Sequence, residues 1–416
     1  MEKRLKVYIG DYPVPVADVI YAKEGSRQYS RFEYTSEWLD NPAAFPISPE
    51  VPIQAGPEFR SNDREKQTSS FLSAIADCCP DSWGRGLIRR KIPGATDYDY
   101  LAEVNDFTRQ GALRFKEPGD DRFVSCQSPE IPSISTLEAL RQEVHKIELD
   151  PAYAEGGAKA LFGSGLGGAR PKSDAIEDDA LYVAKFPSLN DTKPVEKAEV
   201  ATLWLARKIG LDVPDSFLIG DRFAIAVLKR FDRDDSGKRH LYISGQTMLK
   251  SETAIGHYYT DLVDQMRSQS KDFSRDASEL FRRVAYTILI SNTDDHMKNH
   301  GFLRKSGSNG WELSPMFDVN PQPERGRTLE TGISPLSADE ASIEALIEAS
   351  SLFDVDENEA VEWIGDMAEK MKEYWGAMLE KVNLSGAEKR FYLRAIEHAE
   401  FERALRLNSP QSAPRF

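Results

Sequence analysis

The opening segments KVYIGDYPVPVADVIYA and RQYSRFEYTSEWL alternate aromatic or β-branched residues with polar ones and are broken by Pro and Gly, which predicts strands and hairpins in a β-rich opening region. Over residues 68–90 the spacing becomes helical, with Phe71, Leu72, Ile75 and Ala76 followed by PDSWGRGLI; this predicts a helix, a turn and a second short helix. Pro-rich QSPEIPSIST, residues 127–136, marks a boundary and places a Ser/Thr cap ahead of the helix LEALRQEVHKIE. From Leu181 the pattern reads as a strand (LYVAKFP), a helix stopped by Gly210 (VEKAEVATLWLARKIG) and two further strands (SFLIG and FAIAVLKRF). Beyond residue 272 the chain turns helical, with Leu280, Phe281, Val284, Ala285, Ile288 and Leu289 on one apolar stripe and later helices in EAVEWIGDMAEKMKEYWGAMLEKV and SGAEKRFYLRAIEHAEFERAL. The tail NSPQSAPRF is expected to fray. The expected fold class is α/β (α+β): a β-rich region over residues 1–128, an α/β lobe with a Gly-rich loop over 129–235, and a helical C-terminal lobe over 240–416.

Composition narrows the classes. The 416 residues, 40% of them hydrophobic, are enough for two or three domains with sizeable cores. No window approaches the roughly 18 to 20 apolar residues of a membrane span, and MEKRLKVYIGDYPVP lacks the apolar run of a signal peptide, so the expectation is a cytoplasmic protein without a membrane partner. Three cysteines, Cys78, Cys79 and Cys126, give neither a disulfide framework nor a zinc spacing. A net charge of -15 opposes direct binding of a polyanion, so any route to DNA runs through a partner.

The chemistry concentrates in two segments. Residues 291–300 read SNTDDHMKNH, and 24 positions after Asp294 a second acid, Asp318, stands in LSPMFDVNP. Asp294 and Asn299 have the D-x-x-x-x-N spacing of a phosphoryl-transfer catalytic loop: one carboxylate to orient a hydroxyl, then Asn299 and Asp318 to hold magnesium on a nucleotide. His296 lies between them as a loop-shaping or chemical residue. The segment GFLRK, the turn SGSNG and WELSPMFD form an expected hairpin that returns Asp318 to the loop.

Upstream, GSGLGG at residues 163–168 matches G-x-G-x-x-G, but it runs towards a strand through Ala169, Arg170, Pro171 and Lys172, which argues against a dinucleotide fold. Backbone N–H groups at Gly165, Gly167 and Gly168, with Arg170 and Lys172, suit phosphate instead. Lys185, on the Leu181 and Val183 face of its strand, needs a counter-charge or a phosphate, and Glu199 on the next helix supplies an acid in the order kinases use. An edge-strand Lys185 reaching solvent is the competing reading. A second alternative gathers His296, His300, Asp294, Asp295 and Asp318 around zinc or manganese in a metallohydrolase, which leaves the Gly loop and Lys185 without a task.

LFGSGLGGARPKSDA, VAKFPS, LARKIGLDVPDS, VLKRFDRD, SNTDDHMKNHGFL and LSPMFDVNP closely resemble the HipA family of bacterial toxin serine/threonine kinases. FEYTSEWLDNPAAFPISPEVP and CCPDSWGRGLI resemble that family's N-terminal region, so the likeness covers most of the chain. The resemblance implies a bilobal protein-kinase-like fold, ATP and Mg2+ as cofactors, transfer to a Ser or Thr of a protein substrate such as an aminoacyl-tRNA synthetase, and a small helix-turn-helix antitoxin, HipB, as the partner that binds DNA. It further implies Asp294 as the catalytic aspartate, Asn299 and Asp318 as metal ligands, and Lys185 as the ATP-contacting lysine. Arg230 and Phe231 fall where the family's nucleotide hinge ends, and Ala169 and Lys298 complete the expected nucleotide-contacting set. The family's autophosphorylated serine has Gly165 in its place here, with Ser164 one step earlier as the candidate. Two other function classes stay open: a non-catalytic corepressor acting through the antitoxin, and a small-molecule kinase.

Overall fold

The computed structural model describes residues 1–12, 14–63, 68–125, 131–150, 169–324 and 326–408. Ser164, Gly165, Gly167 and Gly168 lie outside the described residues. The chain forms two compact units, one of Met1–Asn190, Val227–Glu252 and Leu303–Gly307, the other of Asp191–Ala226, Thr253–Phe302 and Ser308–Phe416.

In the first unit, alternation does what its period requires. Strands β1 (Glu2–Ile9), β2 (Ala17–Glu24), β3 (Arg27–Tyr34), β4 (Glu58–Ser61) and β5 (Leu113–Lys116) make an antiparallel sheet in the order β4-β3-β2-β1-β5. The register sets Leu5 opposite Val19, Val7 opposite both Ala17 and Phe115, and Val19 opposite Phe32, so every second residue joins one apolar face. Those side chains are buried, and Phe71 and Tyr98 pack on Tyr21 with ring centroids 5.7 and 5.8 Å away. Each large side chain so buried is worth about 1.5–3 kcal/mol against leaving it in water.

Residues 68–90 depart from expectation in proportion rather than kind. The helix Ser73–Ala76 is a single turn, and the longer element is Ser82–Lys91. The first turn ends on Cys78 and Cys79, two buried free thiols that donate to the carbonyls of Ala74 and Ile75. Burial raises both thiols, Cys79 to about 12, so they remain neutral packing groups. The helix Leu137–Leu149 also lacks its expected cap: Thr136 donates its hydroxyl to the Ser133 carbonyl, 2.8 Å away, inside a 3-10 turn that leads into the helix.

Strands β6 (Lys172–Glu177) and β7 (Ala180–Lys185) form a hairpin. Its two-residue turn, Asp178–Asp179, has φ of 48° and 63°, the left-handed pair that matches the twist of the flanking strands. On its other side β7 meets the end of the strand Ile225–Lys229, where the Arg230 N–H donates to the Leu181 carbonyl at 2.9 Å. This makes β7 an inner strand.

The second unit is mainly helical. Val195–Lys208 and Ala399–Leu407 both pack on the long helix Glu357–Lys381, and Tyr259–Gln269 packs on Phe273–Leu289, whose predicted apolar stripe is buried throughout. Among the described residues no helix is long and apolar enough to cross a membrane.

Candidate active site

The helix Phe273–Leu289 delivers the SNTDDHMKNH segment. Its end is a Schellman-type stop: Asn292 N–H donates to the Thr287 carbonyl at 3.0 Å and Ser291 N–H to Ile288 at 3.4 Å, with Ser291 left-handed at φ 59°. Glycine is the usual residue there. Ser291 is held in that conformation because its hydroxyl donates to the Ala395 carbonyl at 2.7 Å and accepts from Arg327 at 3.0 Å.

Past this stop the two adjacent acids separate in role. Asp294 is exposed, whereas Asp295 is buried and takes hydrogen bonds from the Tyr259 hydroxyl at 2.6 Å and from His300 Nε2 at 3.1 Å. Burial alone would raise the Asp295 carboxyl, but His300 and the two hydrogen bonds outweigh it and hold the group below the usual carboxylate range. Met297 is buried and its N–H donates to Ala254, 3.0 Å away, while a 3-10 turn over Met297–Asn299 closes as Asn299 N–H meets the His296 carbonyl at 2.8 Å. Asn299 Nδ2 donates to the Asp294 carbonyl at 3.3 Å, which leaves Oδ1 as the amide atom available to a cation. His296 is half-buried, and its Nδ1 has no hydrogen-bond partner among the described residues.

Asp318 is brought to this loop by hydrogen bonds on its C-terminal side. Asn320 N–H donates to Asn292 Oδ1 at 3.2 Å, and Gln322 N–H to the Ser291 carbonyl at 2.9 Å. The strands Gly301–Arg304 and Glu312–Leu313 fall in the intervening chain, and Ser314 N–H bonds back to Gly301 at 2.8 Å. Asp318 itself is left-handed, φ 60°, and accepts from Asn320 Nδ2 at 3.2 Å. A non-glycine residue in that region costs of order 1–3 kcal/mol and persists where the surroundings determine it.

Asn299 and Asp318 offer two hard oxygen donors near an exposed carboxylate. That set suits a magnesium ion that takes its remaining ligands from phosphates and water. It is not the nitrogen- and sulfur-rich set that zinc prefers. Among the described residues no cluster of three or more His, Cys, Asp or Glu is arranged to hold a metal, and His300 is engaged with Asp295 and Tyr259. Glu199 is buried on the helix Val195–Lys208, and Lys298 is half-buried in the 3-10 turn.

The first unit holds the remaining predicted positions. Lys185 is buried, only 8% exposed, so it is not an edge residue reaching solvent; the register sets it directly opposite Lys172, which is 7% exposed. Opposed residues of an antiparallel pair share a face, and two ammonium groups placed there repel unless negative charge joins them. Arg170, half-buried, and Ala169, exposed, lead into β6. Phe231 is half-buried with its ring 6.3 Å from Tyr242.

Arg230 has a different task from the one its position suggested. Its guanidinium donates to both oxygens of Asp232 at 2.9 and 2.6 Å, to Asp174 at 2.7 Å and to the Thr108 carbonyl at 2.5 Å, which leaves only backbone to offer a nucleotide. Burial alone would lower this guanidinium and raise Asp232. The ion pairing wins for both, pushing Arg230 up and Asp232 well down, while for Asp174 burial wins and raises the carboxyl. Asp174, Asp232, Asp295, Tyr259 and His300 were not singled out as supports from the sequence; adjacent acids in DD and in FDRDD were the available signal.

An α/β fold that presents an exposed aspartate, an Asn/Asp oxygen pair and a hairpin with two buried lysines is kinase-like. The chain belongs to the HipA family: residues 164–375 match the HipA-like C-terminal domain and residues 5–115 the HipA N-terminal domain. The solved complex of HipA and HipB with operator DNA from Shewanella oneidensis contains a chain with the same fold, at a TM-score of 0.69 and 14% identity over 99% of this chain and 100% of that one. A proinflammatory kinase of Helicobacter pylori, CtkA, aligns at a TM-score of 0.46 and 15% identity over 59% of this chain and 94% of that one. A protein of Haemophilus influenzae that carries a provisional kinase name is 27% identical over 170 residues, 36% of this chain and 49% of the relative. The match thus spans about half the length of that relative.

Proposed function

We propose that this protein is an ATP- and magnesium-dependent serine/threonine protein kinase of the HipA type, acting in the cytoplasm on a protein hydroxyl. The observation that carries the reading is the split between Asp294 and Asp295: one carboxylate is exposed at a rigid loop, and its neighbour is buried as that loop's anchor. Asp294 would accept a hydrogen bond from the acceptor hydroxyl and take its proton as transfer proceeds. Asn299 and Asp318 would hold magnesium, while Lys172, Lys185 and Arg170 would draw the phosphates to β6 and β7. Glu199 joins this proposed set as the buried acid of the helix Val195–Lys208. Magnesium-ATP, when bound, would supply the transferable phosphoryl group, with the ion offsetting the phosphate charge. Ala169 and Lys298, the backbone at Arg230 and Phe231, and the Gly loop with Ser164 as a self-modification site complete the proposed set.

The partner in this reading is a HipB-like antitoxin, through which DNA is reached, as in the Shewanella complex of HipA, HipB and operator DNA. The test is transfer of labelled γ-phosphate from ATP into the protein itself and into a bacterial lysate. Magnesium-dependent label in a protein band is expected. No label in either sample while ATP still binds would sink the protein-kinase reading in favour of a corepressor or a small-molecule kinase.

The anchor predicts its own phenotype. Tyr259→Phe removes the 2.6 Å bond to Asp295 inside a fully buried site. It should lower kcat about tenfold with KM for ATP within about twofold, since a loop loosened by about 1–3 kcal/mol misplaces Asp294 without touching the phosphate-binding strands. Steady-state kinetics reads the split; a change in KM alone would remove Tyr259 from this role.

A further inference from the structure

Asp318 sits in a strained backbone conformation, and the chain around it is held from three directions. Met316 N–H donates to the Asp212 carbonyl at 2.7 Å, Asn320 N–H donates to Asn292 Oδ1 at 3.2 Å, and the Val319 carbonyl accepts from the Thr202 hydroxyl at 2.7 Å. Thr202 lies in the middle of the helix Val195–Lys208, one turn from Glu199, and both Thr202 and Val319 are 0% exposed. Water therefore cannot take over this bond.

The geometry at Thr202 is more than helix bookkeeping. A threonine inside a helix commonly turns its hydroxyl back to a carbonyl of the preceding turn, and Thr202 does approach the Glu199 carbonyl at 2.7 Å. The hydroxyl has one proton, which that carbonyl shares with the equally close Val319 carbonyl, 117 positions along the chain and next to Asp318. The Thr202 backbone is fixed in turn, because its carbonyl accepts from the Tyr286 hydroxyl at 2.7 Å and Tyr286 is fully buried on the helix Phe273–Leu289.

We infer that Thr202 is a positioning residue for the divalent metal site: its hydroxyl holds the Val319 carbonyl so that the Asp318 carboxylate keeps the orientation a magnesium ion requires. The inference rests on the kinase reading above and adds to it a dependence of metal affinity on the helix Val195–Lys208. Removing the hydroxyl leaves Asp318 in place chemically but frees its neighbour's carbonyl to turn. Loss should therefore appear in the metal-dependent part of nucleotide binding and not in the rest.

The test is calorimetric titration of the full chain with ATP, once with magnesium and once with EDTA, for wild type, Thr202→Val and Thr202→Ser. Thr202→Val should bind ATP roughly tenfold more weakly with magnesium, the loss expected of one buried hydrogen bond, and within about twofold of wild type in EDTA. Thr202→Ser, which keeps the hydroxyl, should restore the magnesium-dependent gain. A folded Thr202→Val with the wild-type gain, or with equal losses in both titrations, overturns the proposal. Should Thr202→Val fail to fold, Tyr286→Phe takes its place: the same selective loss supports the proposal and an unchanged gain overturns it. Wild type that binds ATP no more tightly with magnesium would instead bring down the kinase reading itself, and this one with it.

Discussion

Asp294→Asn should abolish phosphoryl transfer, by roughly 10³-fold or more, with magnesium-ATP affinity within about twofold of wild type. The asymmetry follows from where the side chain sits. Asp294 is exposed and touches the loop through its backbone carbonyl, which accepts from Asn299 Nδ2 at 3.3 Å. An amide in its place keeps that carbonyl and the bulk of the side chain, while the capacity to take a proton and to attract a hydroxyl is lost. Transfer measured as incorporated label, beside ATP binding on the same preparation, separates the two effects. Residual activity above about a tenth of wild type would move the base elsewhere.

The largest effect on stability is expected at Asp232. Its two carboxylate oxygens accept from Arg230 at 2.9 and 2.6 Å, from Arg233 at 2.7 Å and from the Gly111 N–H at 2.7 Å. Asp232→Ala removes the carboxylate that two buried guanidinium groups share, leaving Arg230 with Asp174 alone as its acid and Arg233 with backbone carbonyls, and should destabilise the protein by about 3–5 kcal/mol in denaturant titrations. Gly111 adds to the sensitivity of this corner, since at φ 77° with Tyr242 packed against it the segment has little room to readjust. The pH signature has a definite sign. Because pairing depresses the Asp232 carboxyl below its unfolded value, its contribution is fully present above about pH 4 and is lost as pH falls through the folded value. Wild type should therefore lose stability more steeply than Asp232→Ala below about pH 4. Parallel acid limbs for the two proteins would show that Asp232 is not charged in this cluster.

Local pattern carried a large part of the description. Period two placed β1, β2, β3 and β7, and the apolar stripe placed the helix Phe273–Leu289 that ends at the candidate site. Lys185 was assigned the face of Leu181 and Val183, and the β6–β7 register agrees because strand side chains alternate whatever lies across from them. Where expectation and structure part, the competing interaction is identifiable. Thr136 gave its hydroxyl to a turn instead of capping a helix, and Arg230 gave its guanidinium to nearby Asp232 and to Asp174, 56 positions away, which no local rule could pair with it.

By itself the sequence determined which residue types stand at which spacing, and hence the α/β class, the family and the candidate acid, amide and second acid. Those properties are local, set by backbone geometry over a few residues. Only the tertiary structure decided which of the adjacent aspartates is exposed, that Lys172 faces Lys185, and that Thr202 holds the residue beside Asp318. Each of these depends on which buried donor meets which buried acceptor after folding, and that choice is made by groups distant along the chain, where burial makes an unmet hydrogen bond costly.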